Sequence, residues 1–204
     1  MDITLVRHGR STSNNQNLIS GAGIDSPLSE EGVAYAQKVS AVFDESKFDV
    51  AFVSPLTRAV QTAEILTKGN LEIVKDPRIE EIHFGAWEAQ DPDPLREQFP
   101  EAFDYMGMLN EEYSRYAPDS ESYQDLVNRV ADFVNSLKQD YADKNILVVC
   151  HALTIRGFYS AIFHEEMYSF VNVGNVTMNE IHLDEHEGFR PRMNSFNREL
   201  VRPE

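Results

Sequence analysis

Two histidines each stand at the end of an apolar run. His8 follows Ile3-Thr4-Leu5-Val6 within Arg7-His8-Gly9, and His151 follows Ile146-Leu147-Val148-Val149-Cys150. A third apolar run, Val50-Ala51-Phe52-Val53, ends at Ser54-Pro55-Leu56-Thr57-Arg58. A neutral imidazole attacks phosphorus through a ring nitrogen, giving a phosphohistidine that water later cleaves, so one difficult step becomes two easier ones. Arginine suits the three phosphoryl oxygens because its planar fork donates bidentate hydrogen bonds and stays charged. Arg7 and Arg58 are therefore a candidate cradle around His8, and His151 adds hydrogen bonding to the equatorial oxygens. Ser11 and Asn14, in the hydroxyl- and amide-rich stretch after Gly9, suit the same anion.

The leaving oxygen needs a proton, and the segment from Arg78 to Glu88 is the candidate source. A carboxyl group in an apolar surround titrates closer to working pH and can act as general acid. On this logic Glu80 and Glu81 serve equally, and composition does not choose between them.

These groups need a scaffold that brings strand ends together. Short continuous apolar runs read as strands covered on both faces. Ser29 is a candidate N-cap for a helix in which Val33, Ala36, Val39, Val42 and Phe43 recur at helical spacing. Ala59 to Leu66, Leu126 to Leu137 and Thr154 to Phe163 read as further helices, and Leu71 to Val74 and Val176 to Leu183 as further strands. Alternating strands and helices predict a three-layer α/β/α fold on a mostly parallel central sheet, with the strand ends along one edge. Residues 89–122 break the rhythm. Opening on Asp91-Pro92-Asp93-Pro94, they read as a helical insertion that either flanks the domain or covers the site as a lid.

The chain has 204 residues, which fits one domain over 1–204, and the insertion lies within it. With 34 acidic and 18 basic residues the net charge is −16, which argues against nucleic-acid and membrane-surface partners and leaves a small phosphorylated substrate gripped by a few converging arginines. No apolar stretch is long enough to span a membrane, no signal-peptide pattern precedes the first strand, and Cys150 is the one cysteine; these point to the cytoplasm. His83, His164, His182 and His186 lack metal-ligand spacing and read as structural. The expectation is no metal and no cofactor, since the arginines and histidines supply the charge a cation otherwise brings. Arg190, Arg192, Arg198 and Arg202 read as intramolecular pairing groups, and Arg10 either recognises a second anionic group on the substrate or pairs with a surface carboxylate, the second being favoured by the many acids available.

The chain resembles the histidine phosphatase superfamily, the phosphoglycerate-mutase-like proteins. The resemblance rests on Arg7-His8-Gly9 with Ser11 and Asn14, Asp25-Ser26-Pro27-Leu28-Ser29 with Gly32, and Ser54-Pro55-Leu56-Thr57-Arg58-Ala59 with Gln61-Thr62-Ala63. It continues through Glu81 with Phe84-Gly85 and Trp87-Glu88, Glu121-Ser122, and Val148-Val149-Cys150-His151. It implies that His8 is the phosphorylated nucleophile and that Arg7, Arg58 and His151 bind the phosphoryl group. It also implies that Glu81, two residues before a Phe-Gly pair, is the proton donor, with Ser11, Asn14 and the backbone at Ala152 lining the pocket. Glu80 becomes structural or solvated. The chain departs from the family's usual residues at Arg10, Ser11, Ala89, Asp119-Ser120 and Ala152, where the last three sites commonly hold glycine.

The family holds phosphatases and mutases. The stretch from Glu88 to Asp125 is dominated by acids, with Arg96 and Arg115 as its cations, which disfavours holding a free bisphosphate. Its Phe99, Phe103, Tyr105, Met106, Met108, Tyr113 and Tyr116 suit a neutral or partly apolar leaving group. The expectation is a phosphomonoester hydrolase. The alternatives are a cofactor-dependent phosphoglycerate mutase and a catalytically inactive phosphate-binding or interaction module.

Overall fold

The computed structural model describes residues 1–16 and 18–202. Its strands are β1 (Asp2–Arg7), β2 (Val50–Val53), β3 (Ile73–Lys75), β4 (Asn145–Cys150), β5 (Met178–Asp184) and β6 (Arg190–Arg198). Its α-helices are α1 (Glu30–Ser40), α2 (Thr57–Thr67), α3 (Pro92–Gln98), α4 (Tyr123–Asp140) and α5 (Ala152–Phe163). The strands form one sheet in the order β3-β2-β4-β1-β5-β6. β3, β2, β4 and β1 run parallel, whereas β5 is antiparallel to β1 and β6 to β5. The C-terminal ends of β1, β2 and β4 therefore share an edge, and the N-terminal end of β5 arrives beside them.

Side-chain alternation along each strand divides the core into two layers. Ile146, Val148 and Cys150 of β4 join Leu126, Val130 and Phe133 of α4 and Ile155 and Phe158 of α5 on one face. Leu147 and Val149 join Val39 of α1 and Ala59, Ala63 and Leu66 of α2 on the other. Gly157 of α5 faces Leu126 and Val130 of α4, the small residue letting the two helices approach. The longest of these helices, α4, starts with a reciprocal capping box between Ser122 and Asp125.

Two details differ from the sequence reading. α1 stops at Ser40, so Val42 is exposed and Phe43 instead turns in to stack on Phe48. β6 was not anticipated; carrying Pro191 and several charges, it is one of the sheet's two edge strands. Two of its arginines meet acids, Arg190 near Glu187 and Arg198 near Glu180.

Residues 89–122 hold α3, 3-10 turns at Pro100–Ala102 and Glu111–Arg115, and a short antiparallel bridge between Phe103 and Leu109. The aromatic side chains of this segment mostly turn inward. Phe99 and Phe103 pack on Trp87, Tyr113 on Phe84 and Tyr123, and Tyr116 on Phe99. They therefore do not form an exposed apolar wall for a leaving group, as the sequence suggested; among them Tyr105 and Met106 are the exposed ones.

Candidate active site

His8 continues β1 by donating its backbone N–H to Cys150 O of β4 at 3.0 Å. Its carbonyl accepts from Asn175 Nδ2 at 2.7 Å, and Gly9 N–H donates to Thr62 Oγ1 at 2.9 Å. The loop is thus held from α2 and from the residues that lead into β5. Its other flank rests on α1, where a side chain at Gly32 would collide with the Arg10 carbonyl. The His8 ring is buried, and Nδ1 lies 2.7 Å from Gly9 O. A carbonyl can only accept, so Nδ1 carries the proton and Nε2 keeps its lone pair. Burial, followed by the charges of Arg7 and Arg58, holds this imidazole well below its ordinary pKa of 6.5. His8 is consequently a neutral ring with an available nitrogen at neutral pH.

The two arginines are held by carbonyls rather than by carboxylates. Arg7 Nη1 donates to Val173 O at 2.6 Å. Arg58, almost wholly buried, donates from Nη1 to Ile24 O at 2.6 Å and from Nη2 to Gly21 O at 3.0 Å. Desolvation lowers the pKa of both, partly offset by the negative charge of Glu81. Arginine nevertheless stays protonated in proteins, so the site concentrates positive charge inside a strongly acidic molecule. The loop that receives Arg58 is itself pinned, with Glu88 accepting N–H bonds from Gly21, Gly23 and Phe84 and Asp25 accepting from Thr57 N and Oγ1.

His151 ends β4 and is completely buried, its ring centroid 5.0 Å from that of His8. Nε2 lies 2.7 Å from Ser54 Oγ, and among the described residues Nδ1 has no hydrogen-bond partner. Burial and the surrounding positive groups lower its pKa well below 6.5.

Glu81 is buried and lies at the N-terminus of α5. Oε1 accepts from Ile82 N at 3.0 Å and Thr154 N at 3.2 Å, and Oε2 from Leu153 N at 3.2 Å. The expectation of an apolar surround is therefore overturned. The carboxyl group satisfies two of the free backbone donors that open a helix and meets its positive dipole end. Glu80 is half-buried and contributes its carbonyl to Thr154 Oγ1 and Arg129. Arg129 on α4 ties the segment down: Nη1 donates to the carbonyls of Arg78 and Glu80, Nη2 to that of Glu81, while Nε and Nη2 pair with the Glu121 carboxylate.

The remaining expected residues are less central. Ser11 is fully buried, with its hydroxyl 3.0 Å from Ser13 Oγ in a chain that reaches Ser20 and Ser26. Asn14 Oδ1 accepts from Ser11 N at 3.1 Å, and Ala152 opens α5 beside His151. Arg10 points outward, 3.5 Å from Glu31, and lines an open cleft of about 640 Å³ with Tyr35, Lys38 and Asn175 that does not contain His8. His182 lies 2.9 Å from Asp2. Among the described residues no group of three His, Cys, Asp or Glu side chains could hold a metal ion, and no helix is long and apolar enough to cross a membrane. Arg129, Val173 and Asn175 were missed by the sequence reading. For Val173 and Asn175 the available signal is the turn at Asn175-Val176 before β5, whose nearness to His8 depends on β5 pairing antiparallel with β1; Arg129, on α4, carries none.

The parallel strand ends of this mixed α/β sheet thus gather two neutral histidines, the buried Arg58 and the part-buried Arg7, a concentration of donors and positive charge suited to an anion. The chain belongs to the histidine phosphatase superfamily (branch 1), whose family model matches residues 3–197. It is 29% identical over 195 residues to phosphoserine phosphatase 1 of Hydrogenobacter thermophilus, covering 94% of this chain and 91% of that protein. Over 152 residues it is 30% identical to the adenosylcobalamin/alpha-ribazole phosphatase of Escherichia coli, covering 74% and 73%. The solved structure of Bacillus stearothermophilus YhfR superposes with a TM-score of 0.83 at 26% identity, covering 97% and 96%.

Proposed function

We propose that the protein hydrolyses small phosphomonoesters through a phosphohistidine on Nε2 of His8. The observation that carries this reading is the pair of buried polar atoms, Arg7 Nε and His151 Nδ1, that have no hydrogen-bond partner among the described residues; Arg7 precedes His8 in the chain and its charge acts on the His8 ring, and the His151 ring lies 5.0 Å from it. Buried polar atoms of this kind are costly unless a ligand satisfies them, and a phosphoryl group supplies the acceptors. His8 Nε2 donates its lone pair to phosphorus as the ester P–O bond breaks, and the departing oxygen takes a proton from the Glu81 carboxyl. In the second half the Glu81 carboxylate takes a proton from water. The water oxygen bonds to phosphorus, the N–P bond breaks, and inorganic phosphate leaves a neutral His8. Arg7, Arg58 and His151 hold the phosphoryl oxygens throughout, with Ser11, Asn14 and Ala152 around the pocket. The three N–H bonds hold the Glu81 carboxyl group in one orientation.

Hydrolysis is favoured over mutase chemistry because both cations of the insertion are engaged. Arg96 pairs with Asp93 and lies over Phe103, and Arg115 pairs with Glu112, so a second phosphate would compete with a carboxylate for each cation. The retained His8, Arg7, Arg58, Glu81 and His151 argue against an inactive module.

The test is phosphate release from a panel of phosphoserine, phosphoglycerates, sugar phosphates, nucleotides and aromatic monoesters, run beside His8→Ala. Wild-type release with an acid-labile phosphoryl group on the protein, both absent in His8→Ala, is expected. Faster interconversion of the monophosphoglycerates than hydrolysis refutes the phosphatase reading. Full activity in His8→Ala refutes the mechanism.

A further inference from the structure

Ser54 closes β2 at the reactive edge and is completely buried. Its Oγ lies 2.7 Å from His151 Nε2 and 3.4 Å from the N–H of Leu56. A backbone N–H only donates, so Leu56 takes one of the two lone pairs of the hydroxyl oxygen; among the described residues His151 Nε2 is the one acceptor the Ser54 hydroxyl contacts, so satisfying the hydroxyl proton assigns Ser54 as the donor in that contact. A ring nitrogen that accepts this proton carries the lone pair, which places the proton of the neutral ring on Nδ1. That atom is the buried one without a partner among the described residues. A donor there matches a phosphoryl oxygen, whereas a lone pair there would repel it.

From this geometry we infer that Ser54 is a positioning residue that fixes His151 as its Nδ1–H tautomer, the same tautomer that Gly9 O imposes on His8 but reached from the other nitrogen: Gly9 O engages Nδ1 of His8 and leaves its Nε2 lone pair free, whereas Ser54 engages Nε2 of His151 and leaves its Nδ1–H free. The two neighbouring rings then divide the work: one neutral imidazole attacks phosphorus, and the other donates a hydrogen bond to its oxygen. Neither needs a net charge to do so. The inference rests on the phosphoryl-binding role proposed for His151, but the tautomer belongs to the resting protein and is read without any substrate.

The experiment is long-range ¹H–¹⁵N NMR of the protein labelled at histidine, in phosphate-free buffer, with His151 assigned by loss of its signals in His151→Gln. The wild type should show His151 protonated at Nδ1 and bare at Nε2, and Ser54→Ala should move both nitrogens toward an average of the two tautomers. In Ser54→Ala, kcat on the best monoester should fall on the order of tenfold, short of the roughly hundredfold or greater cost of removing an oxyanion donor outright, with KM little changed. Ser54→Thr, which keeps the hydroxyl, should restore the tautomer and most of kcat. A wild-type His151 protonated at Nε2 overturns the inference even if Ser54→Ala fails to fold. An unchanged tautomer and kcat in a folded Ser54→Ala overturn it equally. Absence of turnover on every monoester, with the Nδ1–H tautomer present, counts instead against the proposed activity.

Discussion

Lowering the pH should unfold this protein in a way that reports on its two buried histidines. Both rings are held well below their ordinary pKa of 6.5, chiefly by burial and also by the positive groups around them. In the unfolded chain each binds a proton as pH falls through about 6.5, while the folded protein refuses it. The unfolded state therefore binds more protons, and stability present above pH 6.5 is lost progressively below it. With both rings unprotonated in the folded state, the loss between pH 7.5 and 5.5 is about 1.4 kcal/mol per ring, or roughly 2.7 kcal/mol for the pair. Urea unfolding followed by the fluorescence of buried Trp87 gives the free energy at each pH. The buffer must be free of phosphate, which would bind the folded site and add its own stability. His8→Gln/His151→Gln removes both titrations, so the wild type should lose roughly 2.7 kcal/mol more than this variant over the interval. Equal losses in the two proteins would refute the assignment of two neutral rings to the resting site.

Two further outcomes follow from specific contacts. Arg129→Met leaves the half-buried Glu121 carboxylate and the carbonyls of Arg78, Glu80 and Glu81 without their shared donor; it should cost about 3 kcal/mol in urea unfolding and lower kcat by loosening Glu81. A loss under roughly 1 kcal/mol would show the network to be dispensable. Ala89 sits in the left-handed region at φ 62°, where a side chain costs about 1–2 kcal/mol. Ala89→Gly should therefore raise the midpoint of thermal unfolding, despite the greater entropy glycine brings to the unfolded chain; a lowered midpoint would count against that strain.

The layered fold was legible because the central strands carry apolar side chains on both faces, as Leu147 and Val149 do against α1 and α2 and Val148 does against α4 and α5. The gathering of Arg7, His8, Arg58 and His151 followed from parallel strands ending at one edge. The surround of Glu81 was not legible, since its donors Leu153 and Thr154 lie on a helix far along the chain. β6 escaped notice for a physical reason. An edge strand does not need an unbroken apolar run and tolerates charges and Pro191, so its sequence lacks the pattern that marks a buried strand. Two departures from the family's usual glycines fall at positive φ: Ala89 keeps the conformation without the residue best suited to it, and Asp119, at φ 59°, is of a type that tolerates it. Ala152, by contrast, begins a helix, where alanine is well suited.

The placement of β1 in the middle of the sheet has a consequence for how the chain reaches its native state. Both neighbours of β1, β4 and β5, are encoded in the last third of the sequence, with Asp2 aligned against Asn145 on one side and His182 on the other. During synthesis the apolar strand that leads into His8 must wait, unpaired on both edges, until most of the protein has been made. Long-range pairing of this kind slows folding and leaves an aggregation-prone segment exposed in the interim. Enzymatic competence and completion of the sheet would thus be acquired together, late in the life of the nascent chain.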